Sequence, residues 1–191
     1  MSLPARLAAI ACLGTAVMLL SACAPDDHQL APGPTDVPTS TDSTLDPNAD
    51  PVNESIGINC QTLVPDQVIY DWGSGNFALD VDYVPPAGSA AEQVASTGGL
   101  ACSWVNLSSS ETVDIAAAAP GSAALESGEL AASQSGTAVA DLGSSAYFSS
   151  DGTVGHLDVF TDTYWVTADS PWFLEAGDAR PLAEAAIAAL G

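Results

Sequence analysis

The order of apolar and polar residues predicts six strands between residues 77 and 168. Between Phe77 and Tyr83, large apolar residues alternate with small or acidic ones, which is the period of a strand with one solvent-exposed face. The later strands are separated by turns rich in Ser, Asp and Gly; they span residues 100–107, 111–118, 146–148, 155–160 and 164–168. Cys102 and Trp104 are two positions apart in one of them, so we expect their side chains on the same face.

A helical period marks four further segments. The first runs from Pro65 to Trp72 and ends at Gly73, and the second covers residues 89–95, where Ser89 and Glu92 have the spacing of a capping box. A weak helix is predicted over 123–132, with Gly128 as an interruption. The last helix follows Asp178, and its apolar face comprises Leu182, Ala183, Ala186, Ile187 and Leu190. Together these elements predict an α+β fold, an antiparallel sheet with helices packed on one face.

Residues 1–22 have the pattern of a secretory signal peptide. A single charge, Arg6, precedes an apolar run from Leu7 to Leu20 that is too short for a comfortable membrane span. The next residues, Leu20-Ser21-Ala22-Cys23, resemble a bacterial lipobox, which implies that the Cys23 thiol carries a diacylglyceryl group. Two or three acyl chains hold a protein stably on a membrane. The alternative is ordinary cleavage nearby, with Cys23 incidental.

Residues 23–55 have the composition of a spacer. Six prolines lie among Thr, Ser and Asp, with no aromatic residue and seven acidic ones, so the segment cannot bury enough apolar surface to fold. We predict a disordered, extended linker between the lipidated cysteine and a single domain, residues 56–191. His28 lies beside two aspartates and is interpreted as a solvated spacer residue, because a disordered segment gives no fixed geometry for a metal.

Two cysteines remain for the domain once Cys12 leaves with the signal and Cys23 takes lipid. Outside the cytoplasm, two such thiols in a small domain usually pair, so we predict a Cys60–Cys102 disulfide with Trp104 packed near it. A loop of this length should stabilise the fold by about 4 kcal/mol. A redox or metal role is the weaker alternative, since no CxxC spacing exists and the domain has one histidine.

The strongly negative charge of the chain restricts which kinds of partner it can bind. The 191-residue chain has a formal charge of −22, and 17 of its 24 acidic residues belong to the domain, which retains a single base, Arg180. Such a surface repels anions and attracts cations, and solubility alone would explain it equally well. Nucleic acid is excluded as a partner, because the chain has almost no basic residues to neutralise phosphates.

Candidate chemistry in the domain is sparse. His156 and Asp158 share a strand face, but a hydrolase would need a nucleophile, and no serine nearby lies in a GxSxG sequence. Asp80 and Asp82 could contribute to a calcium site, yet the pattern of a calcium-binding loop is missing. We therefore predict no catalytic residue, no metal ligand and no cofactor. The many acidic residues make any single carboxylate pair uninformative as a sign of glycoside hydrolysis.

A small aromatic cluster precedes the last helix. Trp172 and Phe173 would most often close the core, but they are also candidates for a ligand or partner surface. Arg180 could anchor an anionic ligand or, more simply, neutralise Glu184 one turn further along the helix.

The layout of the chain resembles a group of actinobacterial cell-envelope lipoproteins. The resemblance rests on the lipobox, the Pro/Thr linker, Cys60, the strand with Ala101-Cys102-Ser103-Trp104, the segment 139–147 and the Ala-rich final helix. It implies one uncharacterised, single-disulfide domain on the extracytoplasmic face of the membrane, and it supplies no catalytic residues.

Three functions follow as hypotheses. The leading one is a non-catalytic sensor or accessory module. It binds either a small or lipidic ligand, in a pocket between sheet and helix, or another envelope protein. The second is an envelope hydrolase that uses His156 or paired carboxylates. The third is a structural surface component. A lined cavity would favour ligand binding, and a cleft with His156 beside a serine or an acid would favour an enzyme.

Overall fold

The computed structural model describes residues 56–191. The predicted signal peptide, Cys23 and the linker lie outside the described residues. The five helices are α1 (Cys60–Leu63), α2 (Asp66–Gly73), α3 (Ala90–Ser96), α4 (Ser122–Ser135) and α5 (Ala176–Leu190). The seven strands are β1 (Phe77–Leu79), β2 (Leu100–Asn106), β3 (Thr112–Ala118), β4 (Thr137–Ala138), β5 (Ser145–Ser150), β6 (Gly155–Phe160) and β7 (Trp165–Ser170).

All seven strands form one antiparallel sheet in the order β1-β2-β3-β7-β6-β5-β4. Two runs of adjacent strands, β1 to β3 and β4 to β7, meet where β3 pairs with β7. The predicted α+β class, the antiparallel sheet and the disulfide are confirmed.

The main core lies between the first face of the sheet and α1, α2 and α5. Cys60 and Cys102 form the disulfide, and Trp104 lies on the same face of the sheet as Cys102, as predicted, where it is fully buried. Alternate positions of the central strands and α5 contribute further large members of this core, among them Val113, Ile115, Leu157, Val159, Val166 and Leu182.

Helices also cover the second face, which differs from the expectation of one covered face. Ala91 and Val94 of α3 pack against Ala116 and Ala118, which point away from the main core. α4 crosses the same face and meets β5 and β6. Small residues explain the difference. Large apolar side chains alternate onto only one face of the predicted strands, and the alanines on the other face do not indicate whether that face is buried.

Gly128 lies within α4, which is continuous. A Cβ at this position would lie 3.1 Å from the ring of Trp165 and 3.3 Å from the ring of Phe160. These two rings stack with centroids 5.6 Å apart. Gly128, which was expected to interrupt the helix, therefore allows α4 to approach the rings of Trp165 and Phe160 closely. The contact between α4 and these rings offsets the low helix propensity of glycine.

The strand predicted from Phe77 to Tyr83 stops at Leu79. The Asp80 carboxylate accepts a hydrogen bond from the Asp82 N–H at 3.1 Å, which folds the chain into a turn. Of the described residues, no helix is long and apolar enough to cross a membrane.

Candidate functional site

A groove of about 400 Å³ lies between α3, α4 and the second face of the sheet. Its walls are mostly small residues, Ala90, Ala124, Ser127, Gly128, Ala131, Ala132 and Ser135, together with Gln93. Its floor consists of His156, Asp158 and Trp165 from β6 and β7. Because the wall side chains are short, the helices lie near the sheet without filling the space between them.

His156 is held between two carboxylates. Its Nε2 lies 2.7 Å from an oxygen of Asp158, two positions along β6, and its Nδ1 lies 2.7 Å from an oxygen of Asp169. Asp169 is the direct cross-strand neighbour of His156 on β7. The other oxygen of Asp158 accepts a hydrogen bond from the Trp165 indole N–H at 2.8 Å.

The two carboxylates keep His156 charged. Burial by itself lowers the pKa of His156, but the hydrogen bonds and negative charges of Asp158 and Asp169 outweigh burial and raise this pKa to about 10. At neutral pH the floor of the groove therefore contains an imidazolium between two carboxylates.

This arrangement suits binding better than acid–base catalysis. A general base needs a free ring nitrogen near neutral pH, whereas both nitrogens of His156 are bonded to carboxylates. Ser149 is the cross-strand neighbour of His156 on β5, and the structure records no hydrogen bond between the two side chains. His156 and Asp158 share a strand face, as expected from the alternation, and their contact is one half of an ion network that also includes Asp169.

Polar atoms without a partner lie beside this network. Thr167, opposite Asp158 in the strand register, is fully buried, and its hydroxyl has no hydrogen-bond partner. One oxygen of Asp169 is also buried and unpartnered. Unsatisfied buried groups cost free energy, so a bound molecule or water that reached them would be stabilised.

No family model, curated protein or solved structure matches this chain.

The two aromatic residues before α5 have different environments. Phe173 is 1% exposed and packs in the main core, so it cannot belong to a binding surface, which corrects the expectation for this residue. Trp172 is 44% exposed and lies edge-on to Phe77, with ring centroids 5.9 Å apart. The two residues differ because they lie in a turn after β7. The turn directs the Phe173 ring into the core and leaves the Trp172 ring at the surface.

Arg180 forms its hydrogen bonds with other groups of the domain. Its guanidinium donates to the carbonyls of Ala140 and Asp141 at 2.6 and 2.9 Å, and it contacts Glu184 at 3.3 Å. These bonds fasten α5 to the loop between β4 and β5, where Asp141 adopts a left-handed conformation. The contact with Glu184 was predicted, and the loop contacts could not be read from sequence spacing.

Among the described residues, no group of three or more His, Cys, Asp or Glu side chains is placed so that it could hold a metal ion. Asp80 and Asp82, the candidates for calcium, lie in the turn after β1 and are not on a strand face.

Sequence reasoning missed Asp169. The predicted turn between β6 and β7 contains the information needed to find it. In a hairpin, a residue a given number of positions before the turn pairs with the residue the same number of positions after it. Applied from the Phe160–Trp165 pair, this rule places Asp169 opposite His156.

Proposed function

We propose that this chain is a lipid-anchored, extracytoplasmic protein of the cell envelope whose domain binds a small ligand without catalysing a reaction. The observation that supports the proposal is the groove between α3 and α4, which opens over a charged floor whose polar groups are already paired with one another. Such a floor is preorganised and needs no rearrangement when a ligand arrives. A sensor or accessory role for an envelope process fits a module of this kind.

The alternative of a hydrolase is less well supported. The groove does contain His156 beside an acid, which is the combination expected of an enzyme. However, the imidazolium has no free nitrogen, and the partners of Asp158 occupy both of its oxygens. A reaction at this site would first have to break two short hydrogen bonds.

The test is to find a ligand that accompanies the protein. The full chain is expressed in its native envelope, extracted gently and measured by native mass spectrometry with the disulfide intact. We expect a discrete mass beyond that of the lipidated chain. The Ser127→Trp variant, which places a large ring in the groove, should lose this mass.

Ser133→Trp provides the matched control. Ser133 is an exposed serine of the same helix, but it does not line the groove. This variant should keep the extra mass. A wild-type chain without extra mass, or equal losses in the two variants, would contradict a ligand in the groove and would shift the interpretation to a protein partner or a structural role.

A further inference from the structure

A second recess lies on the opposite side of the sheet from the groove. It has a volume of about 250 Å³ and is lined by Trp72, Gly73, Ser74, Phe77, Trp172 and Asp178. These residues come from the end of α2, from β1 and from the segment that leads into α5. We call this site the aromatic recess.

The three rings of the aromatic recess form a connected wall. The Phe77 ring lies between the other two, with centroid distances of 5.2 Å to Trp72 and 5.9 Å to Trp172. A Cβ at Gly73 would overlap the Phe77 ring, so only glycine at this position allows the ring its place. The arrangement of the three rings therefore depends on glycine at position 73.

Contacts behind the rings hold them in position. The Trp72 indole N–H donates to the carbonyl of Asp178 at 2.7 Å, and the Trp72 ring meets the buried ring of Phe173 edge-on, with centroids 5.8 Å apart. The main chain of Trp172 is held by its N–H, which donates to the Ser170 hydroxyl at 3.1 Å, and its ring packs edge-on against Phe77. A ligand would meet rings that are already ordered.

The charge around the recess selects for a cation. Asp178 lines the recess, and its carboxylate accepts hydrogen bonds from the backbone N–H groups of Leu174 and Glu175. The domain has 17 acidic residues against two cations, Arg180 and the protonated His156, and both cations are bonded to groups outside the recess. Carboxylates at Glu175 and Asp178 offset the positive end of α5. Aromatic faces attract cations, and cages of such rings bind alkylated ammonium groups.

We propose that the aromatic recess binds a small organic cation with an alkylated ammonium group, such as a quaternary ammonium. An inorganic ion would leave the ring faces unused, and an anion would be repelled by the acidic field. The Trp172 ring supplies the exposed wall of the site, while Trp72 and Phe77 supply its base. This proposal does not depend on the groove between α3 and α4.

The experiment is an NMR titration of the full chain with choline chloride, with sodium chloride held at matched ionic strength. We expect the indole N–H resonances of Trp72 and Trp172 to shift, and that of Trp165, on the other face of the sheet, to stay unchanged. The uncharged isostere 3,3-dimethyl-1-butanol should bind at least about tenfold more weakly, since it lacks the charge that the rings attract.

Variants locate the binding. Trp172→Leu should weaken choline binding about tenfold, and Trp172→Phe should recover part of the loss because it restores an aromatic face. Tyr70→Leu, at another exposed aromatic residue that does not line the recess, should bind like the wild type. Ser127→Trp should also bind normally, which separates this test from that of the groove.

Two results would overturn the proposal. Equal binding of choline and its uncharged isostere would make the recess a simple apolar cleft, and unchanged binding in Trp172→Leu would place the cation elsewhere. A parallel titration of the wild type and of Trp172→Leu with phosphatidylcholine vesicles identifies the source of the group. Vesicle binding that Trp172→Leu weakens as it weakens choline binding indicates a lipid head group, whereas vesicle binding that is equal in the two chains comes from the acyl anchor and indicates a soluble cation.

Discussion

At the scale of single residues, His156 shows how neighbours set a charge. A histidine is ordinarily neutral for much of the physiological pH range, but two carboxylates at 2.7 Å give His156 a pKa of about 10. The charged ring joins β6 to β7 across the floor of the groove. The protonated state of His156 therefore contributes to the stability of the sheet.

This charge predicts how stability changes with pH. Because the pKa is raised on folding, the contribution of His156 is fully present below about pH 6.5, the unfolded value, and is lost as the pH rises towards 10. Between pH 7 and 9.5 the free energy of unfolding should fall by about 2 kcal/mol, less than the full shift implies, because the ring is partly exposed and water screens the pairs.

Urea denaturation of the wild type and of His156→Gln across this pH range provides the measurement. The variant should be less stable at pH 7, since it leaves Asp158 and Asp169 without their cation, and its stability should change little up to pH 9.5. Asp114, the cross-strand neighbour of Asp169, faces the same network and stays in place in both proteins. Parallel curves for the two proteins would show that His156 is not charged in the folded state.

At the scale of elements, the sequence predicted those with a strong period or a cap. The strand 155–160 has the predicted bounds, and Ser89 caps α3 by accepting a hydrogen bond from the Glu92 N–H at 3.1 Å. The short elements α1 and β4 were missed, because four and two residues are too few for a period to show.

The candidate site was harder to predict than the fold. The pair His156 and Asp158 followed from alternation on one strand, but the groove depends on where α3 and α4 lie over the sheet. Their lining residues are alanine, serine and glycine, which carry no chemical signature and do not fix a packing face. The aromatic recess likewise joins residues about 100 positions apart, and only the folded chain brings Trp72 and Trp172 to one place.

The close approach of α4 to the sheet gives a prediction at this scale. Gly128→Val should lower the free energy of unfolding by about 1–3 kcal/mol, because the added side chain would push against the rings of Trp165 and Phe160. Chemical denaturation measures the change.

Gly177→Val is the control for this substitution. Gly177 also lies in a helix, but it is exposed, and the nearest atom to an added Cβ is a Glu175 oxygen at an ordinary 3.7 Å. We expect a change within about 0.5 kcal/mol. If both variants lose the same stability, helix propensity and not the contact with the rings is responsible.

At the scale of the whole molecule, the chain combines an acidic domain with a predicted anchor at Cys23. The domain repels anionic surfaces, so lipid on a single residue would be the feature that keeps it near a membrane. Cys23→Ala should abolish incorporation of labelled palmitate and leave the precursor uncleaved, whereas Cys12→Ala, in the apolar part of the signal, should label normally. Anchoring of the Cys23→Ala chain as in the wild type would refute lipidation at this residue.

The disulfide also determines the mechanical behaviour of the domain. A pull on the chain at Ile56 reaches Cys60 within a few residues and passes through the sulfur bridge directly to β2, which is hydrogen-bonded on both sides. The two cysteines are 42 positions apart, and the segment between them, roughly 150 Å of extended chain, is therefore shielded from the load while the bond is intact. Under tension the oxidised domain would lengthen through the residues after Cys102, and reduction would release the shielded length.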